Sequence, residues 1–278
     1  MIPKFDKQLS DNGIAYTRCG RGPVLLLIHG VGLRAESWHP LVASLLEDFE
    51  LIVIDLPGHG ASRALNENFT TVNFHHYYSE IIEFINSISL NEFTVCGHSL
   101  GALLAIELAS DQLTNVVGLA ALSSVYQRSN NATVAVKSRA AKLSNSAAVT
   151  GVTQTIERWF TNSPAADMLP HAKACEYWLR NNSVEGYAMA YKSFADRRGP
   201  SPATLARIEC SSSFMTGGLD LNSTPEMSRR LCAETKKAVV SVVPGAGHMM
   251  PLTHTAAVAD AVLELNQARP ENRAGLDA

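Results

Sequence analysis

The segment VCGHSLGALLAIELA, residues 95–109, sets Ser99 between Gly97 and Gly101, where an apolar run gives way to an alanine- and leucine-rich one. EFTVC, residues 92–96, reads as a buried strand and the segment from Leu100 onward as a buried helix rich in good helix formers. A chain that passes directly from strand to helix must reverse within a few residues, and the residue at the apex is forced into an unfavourable backbone region. Only flanking residues without a Cβ let strand and helix approach so closely. Ser99 is therefore expected on a strained elbow, its hydroxyl held out at the C-terminal edge of a sheet.

Working outward, apolar runs recur as VLLLIH (24–29), ELIVIDL (50–56), FTVCG (93–97), VVGLAALS (116–123), SSFMTG (212–217) and AVVSVVPG (238–245). Such near-continuous runs suit strands covered on both faces. Helical segments around SWHPLVASLLED, NFHHYYSEIIEFINSI and the elbow helix separate the first four, so the fold class is α/β, with a mostly parallel, doubly wound sheet. KQLSDNGIAYTRCG predicts a leading hairpin turning at Asn12-Gly13. The rhythm stops after Ser124 and resumes near residue 204. The chain thus divides into a core of residues 1–125 and 204–278 and a polar helical insertion, 126–203, expected to form a lid.

Composition narrows the function. With 278 residues and 46% hydrophobic content the chain can bury a large core, and a net charge of −3 gives no sign of a nucleic-acid partner. No stretch of about 18 apolar residues is present, and MIPKFDKQLSDNG lacks the apolar centre of a signal peptide, so a cytoplasmic protein with no membrane partner is expected. Cys19, Cys96, Cys175, Cys210 and Cys232 are scattered without metal-ligand spacing; Cys96, three residues before Ser99, reads as a core thiol.

A serine hydroxyl needs a base within hydrogen-bond reach, itself oriented by an acid. His248, in VVPGAGHMMPL, follows the last strand run through a glycine-rich turn. Asp220, in FMTGGLDLNSTPEM, follows the preceding one. The chain order Ser99, Asp220, His248 suits three residues beyond successive C-terminal strand ends. Asp55 is the rival acid, but within DLPGHGAS it and His59 are expected to hold a loop. The oxyanion of an attacked carbonyl would be met by the backbone N–H of Leu100 and by that of Val31 in HGVG (29–32), with His29 a structural residue of that loop. Neither a metal nor another cofactor is required by this chemistry.

As a set, LLLIHGVG…SW, VIDLPGHGAS, VCGHSLGA, MTGGLD…TPEM and VPGAGHMMPL resemble the α/β-hydrolase family. In the insertion, IERWFTNSP and VEGYAMAYKSFAD are similar to the 3-oxoadipate enol-lactonase branch. The resemblance implies an α/β-hydrolase fold and a serine hydrolase of a small ester or (enol-)lactone; Trp159 in the insertion and Arg34, a positive group in the oxyanion loop, are expected substrate contacts. A C–C bond hydrolase of a vinylogous diketone uses the same triad, and a hydrolase-fold ligand receptor is the non-enzymatic alternative. Serine rather than aspartate at position 99 disfavours dehalogenase and epoxide hydrolase chemistry. PLTHTAAV lacks the Glu and Pro that usually follow the family's histidine, and the helix before the fifth strand lacks its usual Asp; both departures bear on the subfamily and leave the triad intact. Residues 126–200 carry ten basic side chains against five acidic ones, leaving −8 on the remaining chain, an asymmetry that favours an anionic substrate.

Overall fold

In the computed structural model, which describes residues 5–161 and 165–268, the described chain begins with a hairpin of β1 (Gln8–Leu9) and β2 (Ala15–Gly20), Leu9 facing Ala15 across a turn at Asp11-Asn12, one residue before the expected Asn12-Gly13 and closed by Gly13 N–H to Ser10 O (2.9 Å). The first residues of MIPKFDKQLSDNG and residues 162–164 of IERWFTNSP lie outside the described residues. The apolar runs form β3 (Val24–Ile28), β4 (Glu50–Ile54), β5 (Phe93–His98), β6 (Val116–Leu122), β7 (Ser211–Gly217) and β8 (Ala238–Val243). They make one eight-stranded sheet in the order β1-β2-β4-β3-β5-β6-β7-β8; β2 runs antiparallel to β4, and every pair from β4 to β8 is parallel.

Period-two alternation sends neighbouring side chains to opposite layers. Leu25 and Leu27 pack with α1 (His39–Leu45) and, late in the chain, α11 (Thr255–Gln267). Leu26 and Ile28 pack instead with α2 (Phe74–Ser87) and α3 (Leu100–Ser110). Both layers are dry, which is why these strands read as unbroken apolar runs. Cys96 is fully buried in the α1/α11 layer, where burial raises its thiol pKa, and all five cysteines are free.

Between β6 and β7 lie α4 (Asn130–Leu143), α5 (Val152–Phe160), α6 (Leu169–Arg180), α7 (Val184–Asp196) and α8 (Pro202–Ala206), the last packed on α3. Beyond β7 come α9 (Pro225–Ala233), then β8, the short α10 (Met250–Thr253) and α11. Polar contacts fix the inserted helices to the sheet domain: Asn182 Nδ2 donates to Gly32 O (2.8 Å) and Lys192 Nζ to Val72 O (2.8 Å). Gly186 of α7 lies so near Gly58 that a Cβ on it would come within 2.3 Å of Gly58 O. No helix among the described residues is long and apolar enough to cross a membrane.

Candidate active site

The elbow has the strain its sequence predicts. Ser99 sits at φ 57°, ψ −111°, a region that a residue with a Cβ occupies only when its surroundings enforce it. The enforcement is visible: Ser99 N–H donates to Leu122 O (2.9 Å), a Cβ on Gly97 would fall 2.1 Å from Gly101 O, and one on Gly101 would fall 2.0 Å from Ile28 O. Strand, helix and neighbouring strand meet with no room for side chains. Leu100 follows as the first residue of α3, so its N–H belongs to the unpaired first turn of that helix.

Asp220 and His248 are brought together from the loops after β7 and β8. His248 Nδ1–H donates to Asp220 Oδ2 (2.7 Å), and Asp220 Oδ1 accepts from the amides of Asn222 (2.8 Å) and Ser223 (3.0 Å). Burial alone would raise the Asp220 pKa. The adjoining imidazole, its hydrogen bond and the two amides outweigh that effect and hold the carboxyl below its ordinary value. The acid thus stays ionised and orients the His248 ring through the bond at Nδ1.

His98, the residue before Ser99, was not singled out by the sequence reading. Its Nε2–H donates to the backbone oxygen of His248 (2.9 Å), and the two rings stand 4.9 Å apart. Burial, reinforced by the neighbouring His248, depresses its pKa to about 3, so it remains neutral. A lone histidine inside a strand covered on both faces was the available signal.

The loop after β3 is held by two more buried histidines. His29 Nε2 accepts from Leu56 N–H (2.9 Å) with Nδ1 on Gly30 O (2.7 Å), and His59 Nε2 accepts from Gly32 N–H (3.0 Å). Burial lowers both pKa values, that of His59 to about 4. Asp55 is wholly committed here: it accepts from Ala35 N–H (2.7 Å) and Ala61 N–H (2.8 Å) and pairs with Lys7 (2.8 Å). Gly30 abuts the elbow, where a Cβ would come within 3.0 Å of Ser99 Cβ.

Ser99, Val31, His248 and Trp159 open onto one cavity of about 520 Å³, and the Trp159 ring lies 5.9 Å from that of His248. The inserted helices supply the opposite wall, including Arg139 and Arg158. Arg139 Nη2 donates to Thr155 Oγ1 (2.8 Å) and Tyr187 OH (3.3 Å). Neither arginine pairs with a carboxylate among the described residues, and Arg158 Nε is buried without a partner. Arg34 is not part of this wall. It heads the turn at 35–38, and its charge acts on His29 and His59 in the supporting loop. A larger open groove of about 660 Å³ between α2 and α3 is lined by Tyr78, which donates to Asp111, by Arg197, paired with Glu107, and by Arg207, whose Nε donates to Ser110 O (3.2 Å).

A model of the alpha/beta hydrolase family matches residues 25–261. The chain belongs to that family. This alpha/beta hydrolase is 32% identical over 247 residues to (E)-2-((N-methylformamido)methylene)succinate hydrolase of Acinetobacter baylyi, across 88% of the chain and 91% of the relative. Its fold is shared with the enol-lactonase of Burkholderia xenovorans (TM-score 0.81, 19% identity, 94% of this chain and 99% of the other). It is shared also with E-2-(acetamidomethylene)succinate hydrolase (TM-score 0.76, 18% identity, 95% and 100%).

Proposed function

We propose that this hydrolase cleaves the acyl bond of a small, carboxylate-bearing enamide, enol ester or enol-lactone, with Ser99 as nucleophile, His248 as base and Asp220 as orienting acid. The observation that carries the reading is a single cavity in which the elbow serine and the Asp220-bound histidine share walls with two guanidinium groups, Arg139 and Arg158, that pair with no carboxylate among the described residues. Guanidinium forks match carboxylates in charge and geometry. The substrates named for the Acinetobacter relative and for the acetamidomethylene enzyme each join an acylated nitrogen to a double bond of a succinate. Conjugation of that nitrogen, or of an enol oxygen, with a carboxylate spreads the charge of the leaving group and weakens the acyl bond. Residues 126–203 act in this reading as a cap that supplies the anion-binding wall.

The steps follow from the groups present. His248 Nε2 takes the Ser99 hydroxyl proton as Oγ bonds to the acyl carbon. The N–H groups of Val31 and Leu100 receive the oxyanion, and its collapse breaks the bond to nitrogen or oxygen, which leaves with the proton returned by His248. Water, deprotonated by the same base, then releases the acid and restores Ser99. Val31 acts through its backbone, so Val31→Ala is expected to change kcat only modestly. Val31→Pro removes the donor and is expected to lower kcat about 10²-fold or more, provided its circular dichroism matches the parent.

Substrate charge tests the reading. kcat/KM for an N-acetyl aminomethylene-succinate should exceed that of its dimethyl ester, and the advantage should shrink as salt rises from about 0.01 to 0.5 M and the Debye length falls from roughly 30 Å to a few ångströms. Arg139→Gln and Arg158→Gln should each raise KM about tenfold or more, as hydrogen bonds to a charged group are lost. A dimethyl ester preferred at every ionic strength would overturn the anionic substrate.

A further inference from the structure

The cavity has a direction that its walls define. One face of α4 turns Ala132, Ala135, Val136 and Arg139 toward it, the i, i+3, i+4, i+7 spacing of a single helical stripe. Arg139 marks the reaction end, because its partner Tyr187 lies against the loop of Val31: a Cβ on Gly32 would stand 2.8 Å from the Tyr187 ring. The opposite end lies beyond Ala132. There the Arg128 guanidinium sits over Phe194 (4.5 Å), and Arg230 Nη1 donates to Gln127 Oε1 (3.3 Å). Because Phe194 follows Tyr187 by seven residues while Arg128 precedes Arg139, α7 runs antiparallel to α4 and both record the same axis. From Ala132 to Arg139 the helix rises about 10 Å.

Between those ends apolar side chains make up one side of the cavity, Ala132 and Ala135 themselves being exposed, and Asn222 and Thr224 add polar groups to the lining. Small side chains of α4 face Tyr191 and Phe194 of α7, while Met227 of α9 and Leu221, itself 77% exposed, close the other side. Arg128 is held in place at that end: its Nη1 is given to backbone oxygens, that of Arg197 at 2.9 Å among them, while its Nη2 is buried without a partner among the described residues. Glu226 is held by Arg230 (2.9 Å). A succinate unit held at Arg139 and Arg158 leaves this arm to the remaining part of the substrate.

We propose that the arm along Ala132, Ala135 and Val136 receives the acyl chain, so that the preferred substrate carries an apolar acyl group longer than formyl or acetyl. The inference rests on the hydrolytic reading above for the identity of the acyl group, and on the cavity alone for the arm. Its test is a series of N-formyl, N-acetyl, N-butanoyl and N-hexanoyl aminomethylene-succinates. Turnover is measured with the native protein, and binding is measured calorimetrically with Ser99→Ala. Both kcat/KM and affinity are expected to rise by about fourfold per added methylene while the arm fills. Ala132→Phe, which fills the arm, should cut the hexanoyl-to-acetyl ratio at least tenfold. Val134→Phe, on the exposed side of the same helix, should leave that ratio unchanged. Equal binding and equal turnover of acetyl and hexanoyl compounds would overturn the arm, as would a length preference that survives Ala132→Phe. Length-dependent binding without any turnover would uphold the arm and instead overturn the hydrolytic reading.

Discussion

Ser99→Ala and His248→Ala are each expected to lower kcat by about 10⁴- to 10⁶-fold, with substrate affinity largely kept. Members of a nucleophile–base pair act as a unit, so removing either removes the covalent route, and the remaining rate comes from the oxyanion donors and from binding. The alanine variant of Ser99 is a clean probe because alanine keeps the Cβ. The elbow at φ 57° is then no more strained than before, and the hydrogen bond from the residue 99 amide to Leu122 survives. Steady-state kinetics, with mass spectrometry for an acyl adduct on Ser99 in the native protein, measures the effect. Activity within tenfold of native in Ser99→Ala would remove Ser99 as nucleophile.

The second large effect separates two buried aspartates. Asp220→Asn should lower kcat by up to roughly 10⁴-fold with little change in melting temperature, because an amide can no longer hold His248 in the tautomer whose Nε2 accepts the serine proton. Asp55→Asn should do the reverse. Its carboxylate is completely buried and serves two amides and Lys7; Lys7 keeps Glu36 (2.8 Å) as a counterion, but an amide at position 55 cannot accept from both backbone N–H groups and leaves one of them unpaired. A destabilisation of about 1–3 kcal/mol is expected, seen as a lower midpoint in urea, with kcat of the folded fraction near native. Normal turnover in Asp220→Asn together with collapse in Asp55→Asn would transfer the acid role to Asp55.

Much of this architecture was legible because the sheet is covered on both faces. Leu25 to Ile28 and Leu51 to Ile54 are fully buried, so their runs carry no polar interruption that could hide them. Ser99, Asp220 and His248 lie just beyond the ends of β5, β7 and β8, at the edge that the glycine-rich turns of the sequence mark, and their joint role is the reading proposed above. The insertion was harder. α4 is built on alanine, serine and asparagine with only Ala140 and Leu143 buried, so it carries almost no apolar period, and the arginine it brings to the cavity could be counted but not placed. Trp159 faces the cavity. Arg34, expected beside it, belongs to the supporting loop, because the turn at 35–38 follows at once and fixes that segment on Asp55 through Ala35 N–H. Nearness in sequence to Val31 did not carry through that turn. Long-range contacts such as His98 with the carbonyl of His248, 150 residues apart, have no local signature.

The meeting of Gly58 with Gly186 has a consequence for recombination. Gly58 lies in the loop after β4, at φ +73°, and Gly186 in the first turn of α7, so the contact joins two distant parts of the sequence. With no side chain on either partner, neither can adapt to a larger residue on the other; a Cβ on Gly58 would come within 2.8 Å of Gly186 Cα. Residues 126–203 are consequently not a free-standing cassette. Grafting a relative's insertion onto this scaffold, which keeps Gly58, would demand that the donor bring glycine at position 186, and a crossover point chosen only by the ends of β6 and β7 would miss that requirement.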